Sequence, residues 1–130
     1  MTADFKKFIE YCNKYQSMAI EFENWFKNWL YEMAERTIAR TKLRTPVDTG
    51  ALRNAWKITG MKKNGNNFEV MLENGQEYAS HVEYGTPKRP NWKWGKGAHM
   101  LTISMNEIQE QMPMRFDKAF TQFLKDNGLE

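Results

Sequence analysis

The chain has 130 residues, 41% of them hydrophobic and 14% aromatic, with a formal net charge of +3. That length suits one domain with a modest core, and the apolar content is too high for a disordered polymer. No apolar run exceeds a triplet such as Val70-Met71-Leu72, so neither a membrane span nor a secretion signal is expected, and the product should stay in the cytoplasm or leave it by lysis.

Residues 4–44 hold neither Gly nor Pro. Apolar residues recur there at Met18, Phe22, Trp25, Phe26, Trp29, Leu30, Met33 and Ile38, in steps of three and four that mark one helical stripe. Asp4 is a candidate N-cap, and Pro46 closes the segment because the residue before a proline avoids the α region. A straight helix over this span would be about 60 Å long at 1.5 Å per residue. Either a break near 12–17 or a projecting helix is expected, and Asn13 with Gln16 resembles a capping box that favours the break. A short helix follows at 49–55, with Asp48 as its cap.

Residues 56–84 alternate with a period of two and predict three strands in an antiparallel meander. Trp56, Ile58 and Gly60 share one face of the first. Asn64-Gly65-Asn66 marks a turn, and Phe68, Val70 and Leu72 line the second strand. Asn74-Gly75 is a hairpin signal, and Tyr78, Ser80, Val82 and Tyr84 alternate along the third. Residues 85–97 form a basic loop in which Trp92 and Trp94 sit among Lys88, Arg89, Lys93 and Lys96. The helical period returns over 98–127, with Pro113 expected to kink or restart that helix and Gly128 to end it. The fold expected over 1–130 is α+β: a long helix, a short helix, a three-stranded meander and a kinked C-terminal helix packed on the sheet.

Charge is segregated along the chain. Residues 36–63 are basic apart from Asp48; Glu69, Glu73, Glu77 and Glu83 make 69–83 acidic; residues 86–99 are basic again. Such segregation favours contacts between copies of one chain or with a polyanion, and its plainer explanation is a set of solvated faces.

No catalytic or metal-binding constellation stands out. The single cysteine, Cys12, excludes an internal disulfide and, on a helix without a nearby base, fits a packing role. His81 and Glu83, two apart on the expected third strand, could in principle move a proton or hold a metal, but they lack a third partner. His99 fits a neutral surface role at the start of the last helix. Asp48-Thr49-Gly50 superficially matches the triplet of aspartic proteases, yet it precedes a helical segment and fits a cap. No cofactor is expected and no enzymatic activity.

Two stretches together resemble a known family. The first is Pro46-Val47-Asp48-Thr49-Gly50-Ala51-Leu52-Arg53-Asn54-Ala55-Trp56, and the second is Tyr78-Ala79-Ser80-His81-Val82-Glu83-Tyr84-Gly85-Thr86. The pattern Pro-Val-Asp-Thr-Gly-x-Leu-Arg, followed by Tyr-Ala-x-x-Val-Glu-x-Gly-Thr, is similar to that of the tail components of tailed bacteriophages, also described as tail-completion, head–tail joining or minor tail proteins. The resemblance implies a structural virion protein of a phage or prophage, made in the bacterial cytoplasm. It also implies a ring, commonly six-fold, between connector and tail-tube or tail-terminator proteins, with DNA passing through the lumen.

Elementary chemistry gives the motif residues structural roles. Pro46 ends the long helix, Gly50 permits close backbone approach, and Leu52 and Trp56 anchor the short helix. Glu83 is expected to point at the start of that helix, towards Thr49, or at Arg53. Gly85 is expected to supply a positive φ. Lys88, Arg89, Trp92, Lys93, Trp94 and Lys96 form the candidate interface or DNA-facing loop, expected to be mobile in a free subunit. The alternative function is a small nucleic-acid-binding module that uses this loop over 86–99. A third, a small hydrolase built on His81 and a glutamate, has no feature that names a substrate.

Overall fold

A computed structural model describes residues 6–128 other than 48, 66, 87, 89, 90 and 92–94, with side chains from residue 19 onward. The elements in chain order are α1 (Lys6–Arg44), α2 (Ala51–Asn54), β1 (Trp56–Asn64), β2 (Asn67–Asn74), α3 (Ala79–Tyr84) and α4 (Met100–Asp126).

Helix α1 runs unbroken for 39 residues. The break expected near 12–17 is absent, because a local capping pattern does not outweigh a long stretch free of Gly and Pro. Helix α4 lies antiparallel along its C-terminal part. The Trp25 and Phe123 rings are 5.1 Å apart at one end, while Arg44 reaches Ser104 at 3.0 Å at the other. Phe22 meets Phe120 at 5.7 Å near the end of α4, so the first turns of α1 run on past it. Between these ends Trp29, Met33 and Ile108 form a buried cluster, flanked by Trp25, Phe26, Met112 and Phe116.

Below that cluster the residues become small and polar. Thr37 and Thr41 on α1, and Thr45 immediately after it, are buried at four-residue intervals. Each hydroxyl donates to the carbonyl one turn back, at 2.9, 2.7 and 2.6 Å, so none is left unpaired. Ser104 on α4 does the same with Met100. Helix α4 continues through Pro113, so it is not restarted there.

The sheet has two strands rather than three. Strands β1 and β2 pair antiparallel, from Trp56 opposite Asn74 to Asn64 opposite Asn67, with Gly65 at φ +60° in the turn. A bulge between Ile58 and Gly60 re-phases β1. Met61 thereby faces Val70, whereas the simple alternation put it opposite to Ile58. Lys63 lands over the Phe68 ring and reaches Glu23 on α1 at 3.0 Å.

The expected third strand is helix α3. Over seven residues the alternation of Tyr78, Ser80, Val82 and Tyr84 suits a strand, but the residues turned inward are Ala79, Val82 and Glu83, which are spaced for a helix. Asn74-Gly75 is not a hairpin turn. The Asn74 carboxamide accepts the Gln76 N–H at 3.0 Å and donates to the Leu52 carbonyl at 2.8 Å, which ends the strand and redirects the chain.

Candidate functional site: two motifs around the neck of a basic loop

The first motif joins α1 to the sheet. Thr45 is buried at the end of α1, and its hydroxyl accepts the Trp56 indole N–H at 2.9 Å. Pro46 follows, half-buried, where the helix has ended. The cap assigned to Asp48 lies outside the described residues. The Thr49 hydroxyl accepts the Ala51 N–H at 3.3 Å, a local bond at the start of α2. Gly50 is needed for its φ of +86° rather than for close approach. An added Cβ would meet only the Asn54 carboxamide, at an ordinary 3.5 Å. Leu52 and Trp56 are buried, whereas Arg53 is exposed.

The second motif joins the sheet to α4. Tyr78 is exposed at the start of α3, Ala79 is buried, and Glu83 is only 3% exposed. The Glu83 carboxylate accepts the Leu101 N–H at 2.7 Å, the Thr102 N–H at 2.9 Å and the Thr102 hydroxyl at 2.7 Å. It therefore caps α4, not α2, and the partnership expected with Thr49 or Arg53 is replaced by one with Leu101 and Thr102. The physical reason is visible at His99. This residue occupies the N-cap position with φ +48° and makes no side-chain cap bond, and α4 has no acidic residue in its first turn. Its free N–H groups and positive dipole end are satisfied by a carboxylate delivered from α3.

Gly85 and Gly97 are crossed at the base of the loop. Gly85 has φ +85°, and an added Cβ would lie 2.4 Å from the Gly95 carbonyl oxygen. Gly97 has φ +84°, with the Glu83 carbonyl oxygen at 2.7 Å from such an atom. Backbone bonds tie the two sides together. The N–H groups of Thr86, Ala98 and His99 donate to the carbonyls of Gly95, Val82 and Glu83, at 2.8, 2.6 and 3.1 Å. The loop thus leaves the body through a narrow, clamped neck. Lys88 and Lys96 stand exposed on it. Arg89, Trp92, Lys93 and Trp94 lie outside the described residues.

The two motifs share one core. Leu52 and Trp56 from the first, Ala79 from the second and Met100 from the start of α4 form a single buried cluster, against which Ile38, Val82 and Leu101 pack. The proposed His81–Glu83 pair does not exist on this scaffold. On α3 His81 is exposed, while Glu83 is turned inward with both oxygens engaged. Among the described residues no group of three or more His, Cys, Asp or Glu could hold a metal ion.

Sequence reasoning missed the Glu107 carboxylate, which bridges Arg40, at 2.8 Å, and Arg44 of α1. Two arginines four apart on one helix were the available signal. It also missed Glu23, whose carboxyl is held below the usual carboxylate range by the hydrogen bond from Lys63 and by the charges of Lys63 and Lys27.

Comparison with known proteins matches residues 6–85, well over half of the chain, to the family described as "Bacteriophage HK97-gp10, putative tail-component". No curated protein and no solved structure gives a match. The matched region contains the whole first motif and nearly all of the second, the same two stretches that fold into one core. The chain belongs to the HK97-gp10-like family of bacteriophage tail components.

Proposed function

We propose that this protein is a virion building block that joins phage heads to tails, and that it works as a ring of identical subunits, six in the simplest arrangement. Its partners in this reading are its own copies, the connector on one side and the tail-tube or tail-terminator protein on the other, with DNA passing through the lumen. Its role is structural and not catalytic. The observation that carries the reading is the convergence of both family motifs on one core at the base of the basic loop. Such a neck fixes the point at which the basic segment leaves the folded body. That suits a subunit whose loop must meet a neighbour or the phosphates of passing DNA.

Genetic removal tests this directly. Particles made without the protein should accumulate as filled heads and separate tails, and purified protein should restore joined particles. Normal joining in its absence would refute the reading.

A further inference from the structure

Both edges of the two-stranded sheet are open. Among the described residues, no backbone group of β2 hydrogen-bonds to anything but β1. Such an edge is a template for a further strand unless it is blunted. Strand β2, Asn67-Phe68-Glu69-Val70-Met71-Leu72-Glu73-Asn74, has no Lys, Pro or bulge and only the two glutamates as edge charges. Strand β1 carries Lys57, Lys62, Lys63 and the bulge, devices that disfavour unselective pairing and leave an acidic edge as its fitting partner. Beside β2 runs a groove of about 190 Å³ between that strand, α1 and α4, lined by Phe68, Val70, Leu72, Met105, Ile108 and Met112 among others. A strand added to β2 would place its inward side chains over this groove.

The outer face of the sheet decides which strand fits. Lys57 stands opposite Glu73, and Lys62 opposite Glu69. All four are exposed, and none makes an ion pair within 4.0 Å among the described residues. The β1 strand thus carries a basic column on the outer face and β2 an acidic one, facing each other across the hairpin without a close ion pair and each with its other side turned to a sheet edge. If two copies met β2 to β2, glutamates would face glutamates, and like charges directly opposite destabilise a sheet. If β1 of one copy met β2 of the next, lysines would face glutamates. Tyr31, exposed on α1, lines the surface beside Ile58 at the β1 edge and adds an aromatic side chain to that face.

We infer that the β2 edge is the docking site for β1 of a second copy of this chain, so that neighbouring subunits share one continuous antiparallel sheet. This deepens the ring reading and rests on it. The contact is heterologous, using two different surfaces, and a heterologous contact generates rings or open filaments rather than closed two-fold dimers. A closed ring built this way leaves no strand edge exposed.

Disulfide trapping tests the pairing. In a Cys12→Ser background, one chain carries Lys57→Cys or Lys62→Cys and the other carries Glu69→Cys or Glu73→Cys. No chain can then cross-link within itself, and the substituted positions are exposed, so folding should be preserved. Mixed chains oxidised at high protein concentration should give a β1–β2 heterodimer several-fold in excess of either homodimer, and less of it at about 1 M salt, where surface charges are screened. A β2–β2 homodimer in equal or greater amount would overturn the inference, and so would the absence of any cross-link in all four combinations. The head–tail joining assay is scored separately on the native chain. Joining without edge cross-links would remove this interface alone, whereas failure of joining would remove the ring as well.

Discussion

Glu83 is the most exacting test of how the second motif works. Its carboxylate replaces the missing cap of α4 with three hydrogen bonds, from the Leu101 and Thr102 N–H groups and the Thr102 hydroxyl. Hydrogen bonds to a charged group contribute about 1.5–3 kcal/mol each, and a buried donor left unsatisfied costs about 1–3 kcal/mol. Thr102 is exposed as a residue, so water can recover part of the loss on its side, while Leu101 is half-buried. Glu83→Ala should therefore cost about 3 kcal/mol. Against a total of roughly 5–15 kcal/mol for an ordinary domain, that is a large fraction. Glu83→Gln keeps the shape and one acceptor but loses the charge at the positive end of α4, and should cost about 1–2 kcal/mol.

Urea unfolding measures both, with the midpoint falling and the slope unchanged. Amide hydrogen exchange at Leu101 and Thr102 should accelerate more than exchange in the middle of α4. A Glu83→Ala variant within about 1 kcal/mol of the parent would refute the reasoning, since a true orphan cap cannot be that cheap. So would Glu83→Gln equal to the parent, because the charge would then contribute nothing.

Three further outcomes follow from the geometry. Gly85→Ala should cost about 3 kcal/mol, from backbone strain at φ +85° and ψ −179°, a region essentially confined to glycine, plus a forced contact with the Gly95 carbonyl. Gly65→Ala, which shares the positive φ but meets nothing within 4 Å, should cost only about 1 kcal/mol, and equal losses in urea unfolding would show that neck crowding is unimportant. The Glu23–Lys63 contact lowers the Glu23 pKa in the folded chain, so its contribution is complete above the ordinary carboxylate pKa and fades as pH falls through the lowered value. Urea midpoints measured from neutral to acid pH should therefore fall less steeply for Lys63→Met than for the parent, and parallel profiles would exclude this linkage. Pro113 lies exposed inside α4, where it removes a backbone donor, so Pro113→Ala should stabilise the chain by about 1–3 kcal/mol, and a loss in thermal unfolding would mean the proline is needed where it stands.

The parts of the fold visible in the sequence are those governed by long, regular patterns. The α1 stripe through Trp25, Trp29 and Met33, the α4 stripe through Ile108, Phe116 and Phe123, and the Asn64-Gly65 turn depend on many residues agreeing. The failures come where few residues speak or where distant ones answer. In 78–84 a seven-residue alternation lost to the burial of Ala79 and Glu83, which only the packing of Met100 and the orphan N–H groups of α4 make favourable. The bulge after Ile58 left no mark in a simple period of two. A carboxylate seeking a helix start was the right chemistry for Glu83, but two helix starts competed. Chain distance favoured α4, with Leu101 18 residues from Glu83, and α4 lacks any cap of its own, while α2 keeps at least a local bond from the Ala51 N–H to the Thr49 hydroxyl.

The family pattern is thus, in this chain, mainly a specification of shape. Leu52, Trp56 and Ala79 supply core volume, Gly50 and Gly85 supply backbone angles that favour glycine, and Glu83 supplies a cap. Most of these side chains are engaged inside the molecule, so they are poor candidates for holding a partner. In the reading proposed above, recognition falls to what the pattern leaves outward: the Lys57–Lys62 and Glu69–Glu73 columns on the two strands, and Lys88 and Lys96 on the loop. These two sets make different demands. A sheet edge needs a partner strand of matching register, which a copy of the same chain supplies automatically. A cationic loop needs only a surface of negative charge, which can be protein or nucleic acid. In the proposed reading, self-assembly through the edge sets the ring, and the neck built by Glu83, Gly85 and Gly97 fixes where each subunit's basic loop starts and ends on it.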